Sequence, residues 1–276
     1  METTQQLSRR NFWIIAVNSA SAFVLANLLV FYSNLVFTIG AARMFSIPVS
    51  FDWNQIYFHI EAYQWTHDMV TTIFAFGPVL VFLMGIISLG IFYATKEEKS
   101  HLQIFFIWFT LIAFNSFFGN LLIGNLFTKG MGYVFQWMFL TDSARLVIAL
   151  FGLFGLLLTG FIIRKPILFA AGSYFNQLSE KNFPFYFTSQ IIIPFLVGSA
   201  LSILYFLPRV LFQERYAWIS MAILLFIVFK NTDDTEVIYF DNETERTISL
   251  SKPILIASVL IYCGFRIGFN TPINLF

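Results

Sequence analysis

Long apolar runs separated by short polar stretches dominate the pattern of the chain. Six runs approach or exceed the roughly 20 residues that a helix needs to cross a bilayer. They cover residues 11–45, 69–95, 101–127, 144–163, 188–207 and 253–269. A seventh run, residues 216–229, is shorter, and the pattern leaves open whether it spans. Since none of the runs alternates like a barrel strand, the pattern predicts an all-α, polytopic bundle of six to seven transmembrane helices.

The polar stretches between the runs predict interfacial and extramembrane segments. Residues 46–68 are rich in Trp and Tyr, which favour the headgroup layer, so we expect a loop or short helix at the membrane interface. Residues 164–187 and 231–252 are predicted to be polar loops. In the second, two β-prone stretches flank the turn-forming pair Asp241-Asn242. This pattern predicts a small extramembrane β-hairpin over residues 231–250.

The composition agrees with a membrane protein. The chain is 58% hydrophobic and only 11% charged, whereas soluble domains carry roughly 25% charged residues. A net charge of +1, without any block of Lys or Arg, excludes a nucleic-acid-binding surface. Cys263 is the single cysteine, which excludes an intrachain disulfide and a multi-cysteine metal site. We therefore expect one transmembrane domain over residues 1–276 whose partner is the lipid bilayer.

The start of the chain is predicted to be a retained helix. Arg9 and Arg10 precede the first apolar run, as they would in a signal peptide, but the run continues to Phe37, beyond a signal-peptide core. With seven spans, ten Lys and Arg residues lie on the N-terminal side of the membrane and six on the other. This excess predicts a cytoplasmic N-terminus. Without a crossing at residues 216–229, the orientation of the C-terminal part reverses.

Polar side chains inside the third apolar run are the first candidates for a site. Asn115, Ser116 and Asn120 interrupt a stretch of Phe, Leu and Ile. Ser116 and Asn120 are four residues apart and so share one helix face, one turn from Gly124. Such residues either hold membrane helices together or line a path for a solute or ion. Both interpretations remain open from the sequence.

Three ionised residues near helix ends need partners. Thr141 or Asp142 can serve as the N-cap of the fourth helix, with the Asp142 carboxylate near the positive end of the helix dipole. Arg145 follows one turn later and can pair with Asp142. Arg266 lies within the last apolar run, so it must reach the interface, pair, or face a cavity. Asp142 is a candidate partner for Arg266 too.

A zinc site is the one cofactor that the sequence suggests. On a helix, His59, Tyr63 and His67 would lie on one stripe, and Asp142 could add a third ligand. Zinc needs three or four converging ligands, and these two histidines are two turns apart. The alternative is that His59 and His67 are interfacial polar residues with no metal. The chain contains no HExxH, GxSxG or Walker motif.

The order of several features resembles the membrane-embedded zinc metallopeptidases of the site-2-protease type. Phe76-Gly77-Pro78 stands where that family has its Gly-Pro bend, and residues 115–125 where it has an Asn- and Gly-containing helix. Thr141-Asp142-Ser143-Ala144-Arg145 is similar to the segment that supplies the third zinc ligand. The same spacing puts Asn34 and Thr38 at the positions of the two histidines of HExxH.

The differences from that family concern its catalytic core. Leu35 stands at the position of the catalytic glutamate and Ser46 at that of a glycine. Asn and Thr are poor zinc ligands beside imidazole, and a leucine cannot act as a base. The resemblance, over residues 30–160, therefore implies a degenerate relative that has lost proteolysis, in the inner (plasma) membrane of a bacterium.

Three functions follow as expectations. The first is a non-catalytic, site-2-protease-like scaffold or a subunit that binds another membrane protein, with the polar residues as internal packing groups. The second is a small-molecule transporter or channel, in which Asn115, Asn120, Asp142 and Arg266 line the path and Pro78 and Pro194 break helices. The third is a divergent membrane metalloenzyme that binds zinc through His59, His67 and Asp142.

Overall fold

The computed structural model describes residues 7–95, 102–210, 212–230, 237–240 and 248–275. The protein is 76% helical, which confirms the predicted helical architecture, and it carries small sheets in addition. The helices are α1 (Arg9–Met44), α2 (His67–Ala94), α3 (Leu102–Phe127), α4 (Gly132–Trp137), α5 (Asp142–Ala170), α6 (Phe183–Phe206), α7 (Phe212–Lys230) and α8 (Lys252–Gly268). The strands are β1 (Val49–Phe51), β2 (Ile56–Phe58), β3 (Gln177–Leu178), β4 (Ile238–Tyr239) and β5 (Ile273–Leu275).

Five helices in the described part of the chain are long and apolar enough to cross a membrane, namely α1, α2, α3, α5 and α6. This agrees with an integral membrane protein. The predicted runs and the observed helices correspond closely, because a run of this length and hydropathy can satisfy its backbone in lipid only as a helix. By length and composition alone, however, the described helices do not reach the six to seven spans expected from the sequence.

Two small sheets join parts of the chain that are far apart in sequence. In the first, β1 pairs antiparallel with β2 on one edge and with β5 on the other, so Val49 lies beside both Phe58 and Leu275. In the second, β3 pairs antiparallel with β4. We refer to the end of the bundle that carries β1, β2 and β5 as the sheet end.

The helices run alternately toward and away from the sheet end. The Phe127 ring at the end of α3 stacks on Tyr216 near the start of α7, with the centroids 6.0 Å apart. At the opposite end, Oδ1 of Asn18 in α1 accepts the backbone N–H of Ser251 at the start of α8, at 2.8 Å. Thus α1, α3, α6 and α8 end at the sheet end, whereas α2, α5 and α7 begin there.

Residues 46–68 contain the short helix expected there, a 3₁₀ helix over Ala62–Gln64, but a hairpin that was not expected precedes it. This is the β1–β2 hairpin, whose turn is fixed by Asp52: its Oδ1 accepts the N–H groups of Asn54 at 2.8 Å and Gln55 at 2.9 Å. Trp53 in the same turn is only 4% exposed, so its ring packs into the protein and not into the headgroup layer. An aromatic-rich pattern fits both environments, which is why the sequence did not separate them.

The predicted polar loop over residues 164–187 needs correction. Most of residues 164–187 is helical, because the apolar residues at the end of α5 stay buried: Ile167 is buried and its carbonyl accepts the Tyr186 hydroxyl at 2.6 Å. Of the predicted hairpin, residues 231–236 and 241–247 lie outside the described residues. In the described part, β4 pairs with β3, and the hairpin itself stays a prediction.

Glycines stand where helices approach most closely. At each of these glycines an added Cβ would lie 3.0 Å or less from an atom of the neighbouring helix, so the missing side chain permits the contact. Close packing through small residues is the usual mode of association between membrane helices. The crossings are α1–α2 at Gly77, α2–α3 at Gly85, α3–α7 at Gly119, α3–α5 at Gly152 and Gly155, α5–α7 at Gly160, and α1–α6 at Gly198.

The helices continue through Pro78 and Pro194, where breaks were expected. Pro194 has no N–H to give to the carbonyl of Gln190, four residues earlier. That carbonyl instead accepts the Ser19 hydroxyl of α1 at 2.5 Å, and the Ser19 oxygen in turn accepts the indole N–H of Trp108 in α3 at 2.8 Å. A buried hydrogen-bond chain thus replaces the missing helical bond, and α6 passes through a π-turn without breaking.

Arg145 caps the C-terminal end of α3. Its guanidinium donates to the Asn125 carbonyl at 2.7 Å, to the Thr128 hydroxyl at 2.8 Å and to Oδ1 of Asn125 at 3.2 Å. The Asn125 side chain returns a hydrogen bond to the Arg145 carbonyl. The cation thus neutralises the negative end of the helix dipole and takes up carbonyls that a helix end leaves unpaired. This clamp, and not Asp142, holds Arg145.

Removing the clamp is expected to destabilise the protein. Arg145→Met leaves the Asn125 carbonyl without its charged donor, and hydrogen bonds to charged groups contribute about 1.5–3 kcal/mol each. We expect the free energy of unfolding in detergent to fall by about that amount. Arg215→Met, at an exposed arginine of the same end of the bundle, is the matched control and should change it by less than about 0.5 kcal/mol. Equal stability of the two variants would contradict the clamp.

Candidate functional site

A cleft between α1, α3, α6 and α7 brings amide and hydroxyl side chains together. The cleft has a volume of about 80 Å³, measured as the space open to the centres of water-sized molecules. A single water needs roughly 10–15 Å³ by this measure, so the cleft has room for several waters or one small solute. The polar side chains that line it are Asn27, Asn34, Asn115, Ser116, Asn120, Ser199, Ser202 and Ser220.

The cleft lies at mid-depth in the bundle. Asn27 stands at the centre of α1 and Asn115 at the centre of α3, and both helices are long enough to cross the membrane. The lining residues run from Phe23 to Asn34 in α1 and from Ile112 to Gly124 in α3, so in both helices they reach farther toward the C-terminal end than toward the N-terminal end. Since both helices run toward the sheet end, the cleft extends from the middle of the bundle toward that end.

A π-turn widens α3 where it borders the cleft. The turn covers Asn120–Gly124. The side-chain amide of Asn120 donates to the carbonyl of Ser116 at 2.6 Å, which is the carbonyl that the backbone N–H of residue 120 would take in an α-helix. Asparagine competes for backbone partners in this way, and π-turns within helices are frequent at functional sites. Ser116 and Asn120 share one helix face, since both line the cleft, but the bond between them goes to the backbone of Ser116 and stays within α3.

The amide hydrogens and hydroxyls of the cleft are largely bound to protein oxygens. Nδ2 of Asn27 donates to Oγ of Ser202 at 3.0 Å, and the Ser202 hydroxyl donates to the Gly198 carbonyl at 2.8 Å. Nδ2 of Asn115 and the Ser220 hydroxyl both donate to one carbonyl, that of Ala217, each at 3.0 Å. The bond from Asn27 connects α1 with α6, and the bond from Asn115 connects α3 with α7. They are the interhelical contacts that the sequence suggested for such residues.

Two of the amide side chains that line the cleft each have a buried oxygen without a hydrogen-bond partner. These oxygens are Oδ1 of Asn34 and Oδ1 of Asn115. The orientation of the Asn115 amide is fixed chemically, because its nitrogen faces a carbonyl, which can only accept. A buried amide oxygen without a donor costs about 1–3 kcal/mol, and most buried polar atoms in proteins are paired. Each of the two oxygens has less than 1 Å² of exposed area, so both lie behind the surface of the cleft, that of Asn34 against Gly77 of α2.

None of the described side chains that line the cleft is charged. An ion at mid-depth in a bilayer needs a charged or strongly polar partner to offset the loss of its hydration. The chemistry of the cleft, with amides and hydroxyls on an otherwise apolar wall of Phe, Ile and Met, suits an uncharged polar molecule or water. Small polar sites of this kind combine an apolar wall with a few placed hydrogen-bonding groups.

Of the six polar candidates from the sequence, three line the cleft and three do not. Asn115, Ser116 and Asn120 are lining residues. Asp142 lies in the first turn of α5 behind the N-cap Thr141, whose hydroxyl accepts the N–H of Ala144 at 3.3 Å, which confirms the predicted cap. Arg145 serves the clamp, and Arg266 lies elsewhere at the sheet end.

Arg266 is held by an aromatic ring and a carbonyl, and not by Asp142 as the sequence suggested. Its guanidinium carbon lies 3.3 Å from the centroid of the Trp53 ring, and Nη2 donates to the Leu207 carbonyl at 2.8 Å. Beside it the hydroxyls of Tyr32 and Tyr205 lie 2.5 Å apart. A cation over an indole face is stabilised by the ring quadrupole. Arg266 thus joins α8 to the β1–β2 turn and to the end of α6.

The metal-site candidates are separate from one another. His59 shares a hydrogen bond with Oγ of Ser50 at 2.8 Å, and Nδ1 of His67 donates to the Trp137 carbonyl at 2.9 Å. Among the described residues, no three His, Cys, Asp or Glu side chains form a group that could hold a metal ion. The metalloenzyme hypothesis requires that His59, His67 and Asp142 converge on one point. That prediction is therefore wrong.

Five of the eight polar residues that line the cleft were not candidates in the sequence analysis. Asn27 and Asn34 are seven residues apart and so share a helix face, a signal that was available in the first run. The sequence pattern does not mark Ser199, Ser202 or Ser220 as site residues. A serine in a membrane helix can simply bond to the carbonyl one turn earlier, as Ser202 and Ser220 do. Only the packing of α6 and α7 against α1 and α3 brings them to the cleft.

Comparison of the chain with protein-family models, with curated proteins and with solved structures finds no match.

Proposed function

We propose that this protein is an integral membrane protein that binds a small, uncharged polar molecule in the cleft and passes it across the membrane, as a transporter or channel does. The observation that carries the proposal is an uncharged cleft at mid-depth lined by amide and hydroxyl side chains, two of which, Asn34 and Asn115, also have an unpaired buried oxygen. Leucine would fill either position at no desolvation cost, whereas an unpaired amide destabilises the bundle. Polar groups kept at such depth are commonly functional.

The alternation of the helices supports seven crossings. The α7 and α8 helices run between the same two ends of the bundle as their neighbours, since Tyr216 contacts the end of α3 and Ser251 contacts Asn18. In this arrangement the N-terminus and the sheet end lie on opposite sides of the membrane. The Lys and Arg counts of ten and six then favour a cytoplasmic N-terminus and a cleft that opens to the outside of an inner (plasma) membrane.

The second candidate function is a non-catalytic scaffold or a subunit that binds another membrane protein. It is supported by the interhelical hydrogen bonds of the same residues, such as Asn115 to Ala217 and Asn27 to Ser202, which fit internal packing groups. The site-2-protease resemblance adds one observation: an added Cβ at Gly77 would lie 2.6 Å from Oγ1 of Thr38 and against Asn34. The two positions assigned to histidines thus face the Gly-Pro segment.

Cysteine accessibility tests the proposed function. In a Cys263→Ser background, which removes the exposed native thiol, Ser116→Cys places a thiol in the cleft. A small membrane-impermeant methanethiosulfonate added to intact cells should modify it at least about tenfold faster than a dry site, because the thiolate forms only where water reaches. Thr110→Cys, at a fully buried position of the same helix, is the matched control. Mass spectrometry measures both rates.

The alternatives give different labelling results. If Ser116→Cys reacts as slowly as Thr110→Cys, the polar residues form a dry core and the scaffold interpretation holds. If Ser116→Cys reacts rapidly only in inverted membrane vesicles, the solute cleft stands and the assigned orientation is wrong.

A further inference from the structure

Apolar side chains close the cleft at the end that lies farthest from the sheet end. In α1, α3 and α7 the last lining residue in that direction is Phe23, Ile112 and Met221 respectively, and each of them is at most 5% exposed. We call these three side chains the floor of the cleft. The amide side chains of the cleft all lie between the floor and the sheet end. A solute that enters from the sheet end therefore meets an apolar barrier at mid-depth.

Phe23 contributes most to this barrier, because its ring contacts two further helices. The ring packs edge to face on the indole of Trp108 in α3, with the centroids 4.9 Å apart. It also lies directly against α6 at Gly198, where an added Cβ would overlap the ring. The Phe23 ring thus fills the space between α1, α3 and α6 at the level of the floor.

Polar groups continue on the far side of this ring. Ser19 lies one turn before Phe23 and so on the same face of α1, and its hydroxyl connects the Gln190 carbonyl of α6 with the indole N–H of Trp108. The side chain of Gln190 is fully buried, and neither its oxygen nor its nitrogen has a hydrogen-bond partner among the described residues. A buried amide without partners is costly, and polar groups kept inside membrane helices are commonly functional.

The backbone of α6 is irregular beside the ring. A π-turn covers Thr188–Ile192, and Pro194 cannot donate to the carbonyl of Gln190 as a helical residue would. Gly198, which touches the Phe23 ring, follows one turn later. A bend of α6 at this point would withdraw Gly198 from the ring and give the ring room to turn aside.

We propose that Phe23 is the gate of the solute path. Its ring closes the cleft on the side of the N-terminus, and its displacement joins the cleft to the polar groups of Ser19 and Gln190. Phe23 then controls the path of the proposed function, on which this assignment rests. The side chain of Gln190 is buried and does not line the cleft, so the structure represents the closed state of the gate.

Cysteine accessibility tests the gate directly. Gln190→Cys, in the Cys263→Ser background, places a thiol behind the ring without removing a paired amide. A small impermeant methanethiosulfonate is added on the side from which it modifies Ser116→Cys. The thiol at position 190 should react slowly while Phe23 is present. In the Phe23→Ala background it should react at least about tenfold faster, because water then reaches it through the cleft.

Thr110→Cys in the same Phe23→Ala background is the matched control. Thr110 is fully buried, and its hydroxyl donates to the Gly85 carbonyl of α2, away from the cleft. Its thiol should stay slow to react. An equal acceleration at both positions would show a general loosening of the bundle and would count against the gate.

The entry of urea into proteoliposomes that contain the full-length protein is the second measurement. Urea is neutral and polar and has only four heavy atoms, so it suits a cleft of this size. Stopped-flow light scattering gives the rate, corrected with protein-free liposomes. Phe23→Ala should raise the protein-dependent rate at least about tenfold, the effect of removing roughly 1.4 kcal/mol from the barrier to passage. An unchanged or slower rate would overturn the assignment.

Phe109→Ala is the control variant for urea entry. Phe109 is next to Trp108 in α3 and is buried to a similar degree as Phe23, at 7% against 4% exposed, but it does not line the cleft. Its entry rate should equal that of the unmodified protein. If Phe23→Ala does not fold, Phe23→Leu removes fewer buried atoms and should change labelling and entry in the same direction. No change in this variant would also overturn the gate.

The gate and the proposed function fail in different ways. If Ser116→Cys reacts rapidly but Gln190→Cys stays slow in the Phe23→Ala background, the gate assignment is wrong and the polar cleft stands. If Ser116→Cys reacts as slowly as Thr110→Cys, the proposed function fails, and the gate fails with it.

Discussion

Gly152→Ala should lower the free energy of unfolding of the detergent-solubilised protein by about 1–3 kcal/mol, the usual cost of forcing an extra methyl group into a packed interior. The added Cβ would lie 2.8 Å from the backbone nitrogen of Leu122 and 2.8 Å from the carbonyl oxygen of Phe118. These are backbone atoms of α3, so no rotamer change can relieve the contact. The helices α3 and α5 must move apart, or one of them must bend.

The same substitution at a glycine that contacts no other helix should have the opposite effect on the free energy of unfolding. Gly90 also lies within a membrane helix, one turn before the end of α2, but an added Cβ there meets nothing within 4 Å. Gly90→Ala should therefore raise the free energy of unfolding by up to about 1 kcal/mol, since alanine favours the helix over glycine. Chemical unfolding followed by tryptophan fluorescence measures both. A gain in stability for Gly152→Ala would contradict the close approach of α3 and α5.

The same contact affects the cleft. The stretch of α3 that touches Gly152 includes Phe118 and Leu122, and it leads directly into the π-turn that borders the cleft. A displacement of α3 at this point moves Gly119 and Asn120, which line the cleft on the other face of the helix. The packing of α5 behind α3 thus helps to fix the positions of the α3 residues that line the cleft, although α5 itself does not line it.

Hydrophobic patterning located the helices because lipid leaves few alternatives. The observed bounds of α1 and α3, Arg9–Met44 and Leu102–Phe127, differ by only a few residues from the predicted runs. The N-cap Thr141 was also readable, because capping depends on neighbouring residues alone. The pairing of Ser116 and Asn120 followed from helix geometry in the same way. Local rules sufficed for all of these features.

Contacts between distant residues could not be read from the same pattern. The sheet pairs Val49 with Leu275, and Trp53 lies beneath Arg266. Nothing near either partner indicates the other, so Trp53 was predicted to lie in the headgroup layer and Arg266 to pair with Asp142. The cleft is a similar case, since its polar groups come from four helices and become a site only through packing. In physical terms, the missing information was the relative placement of the helices.

Asn115→Leu should separate the two candidate functions with the largest change in activity. In the solute-cleft interpretation, the substitution replaces a polar lining side chain by an apolar one and narrows the cleft. Protein-dependent entry of urea into proteoliposomes should fall by at least about tenfold, the effect of roughly 1.4 kcal/mol of lost binding. Stopped-flow light scattering measures the rate.

The stability of Asn115→Leu is expected to change little. The variant loses the hydrogen bond from Nδ2 to the Ala217 carbonyl, but that carbonyl keeps the Ser220 hydroxyl as a donor. It also removes the unpaired Oδ1, whose burial costs about 1–3 kcal/mol. The two effects oppose each other. The free energy of unfolding should therefore stay within about 1 kcal/mol of that of the unmodified protein, since each effect amounts to about one hydrogen bond.

Asn18→Leu is the matched control for this substitution. Asn18 is as deeply buried as Asn115, but both ends of its amide are paired, with the Ser249 carbonyl at 2.9 Å and the Ser251 N–H at 2.8 Å. Its replacement leaves two backbone groups unpaired and should cost about 1–3 kcal/mol. If Asn115→Leu destabilises the protein as much as Asn18→Leu does, while the entry of urea is unchanged, then Asn115 is a packing group and the scaffold interpretation is correct.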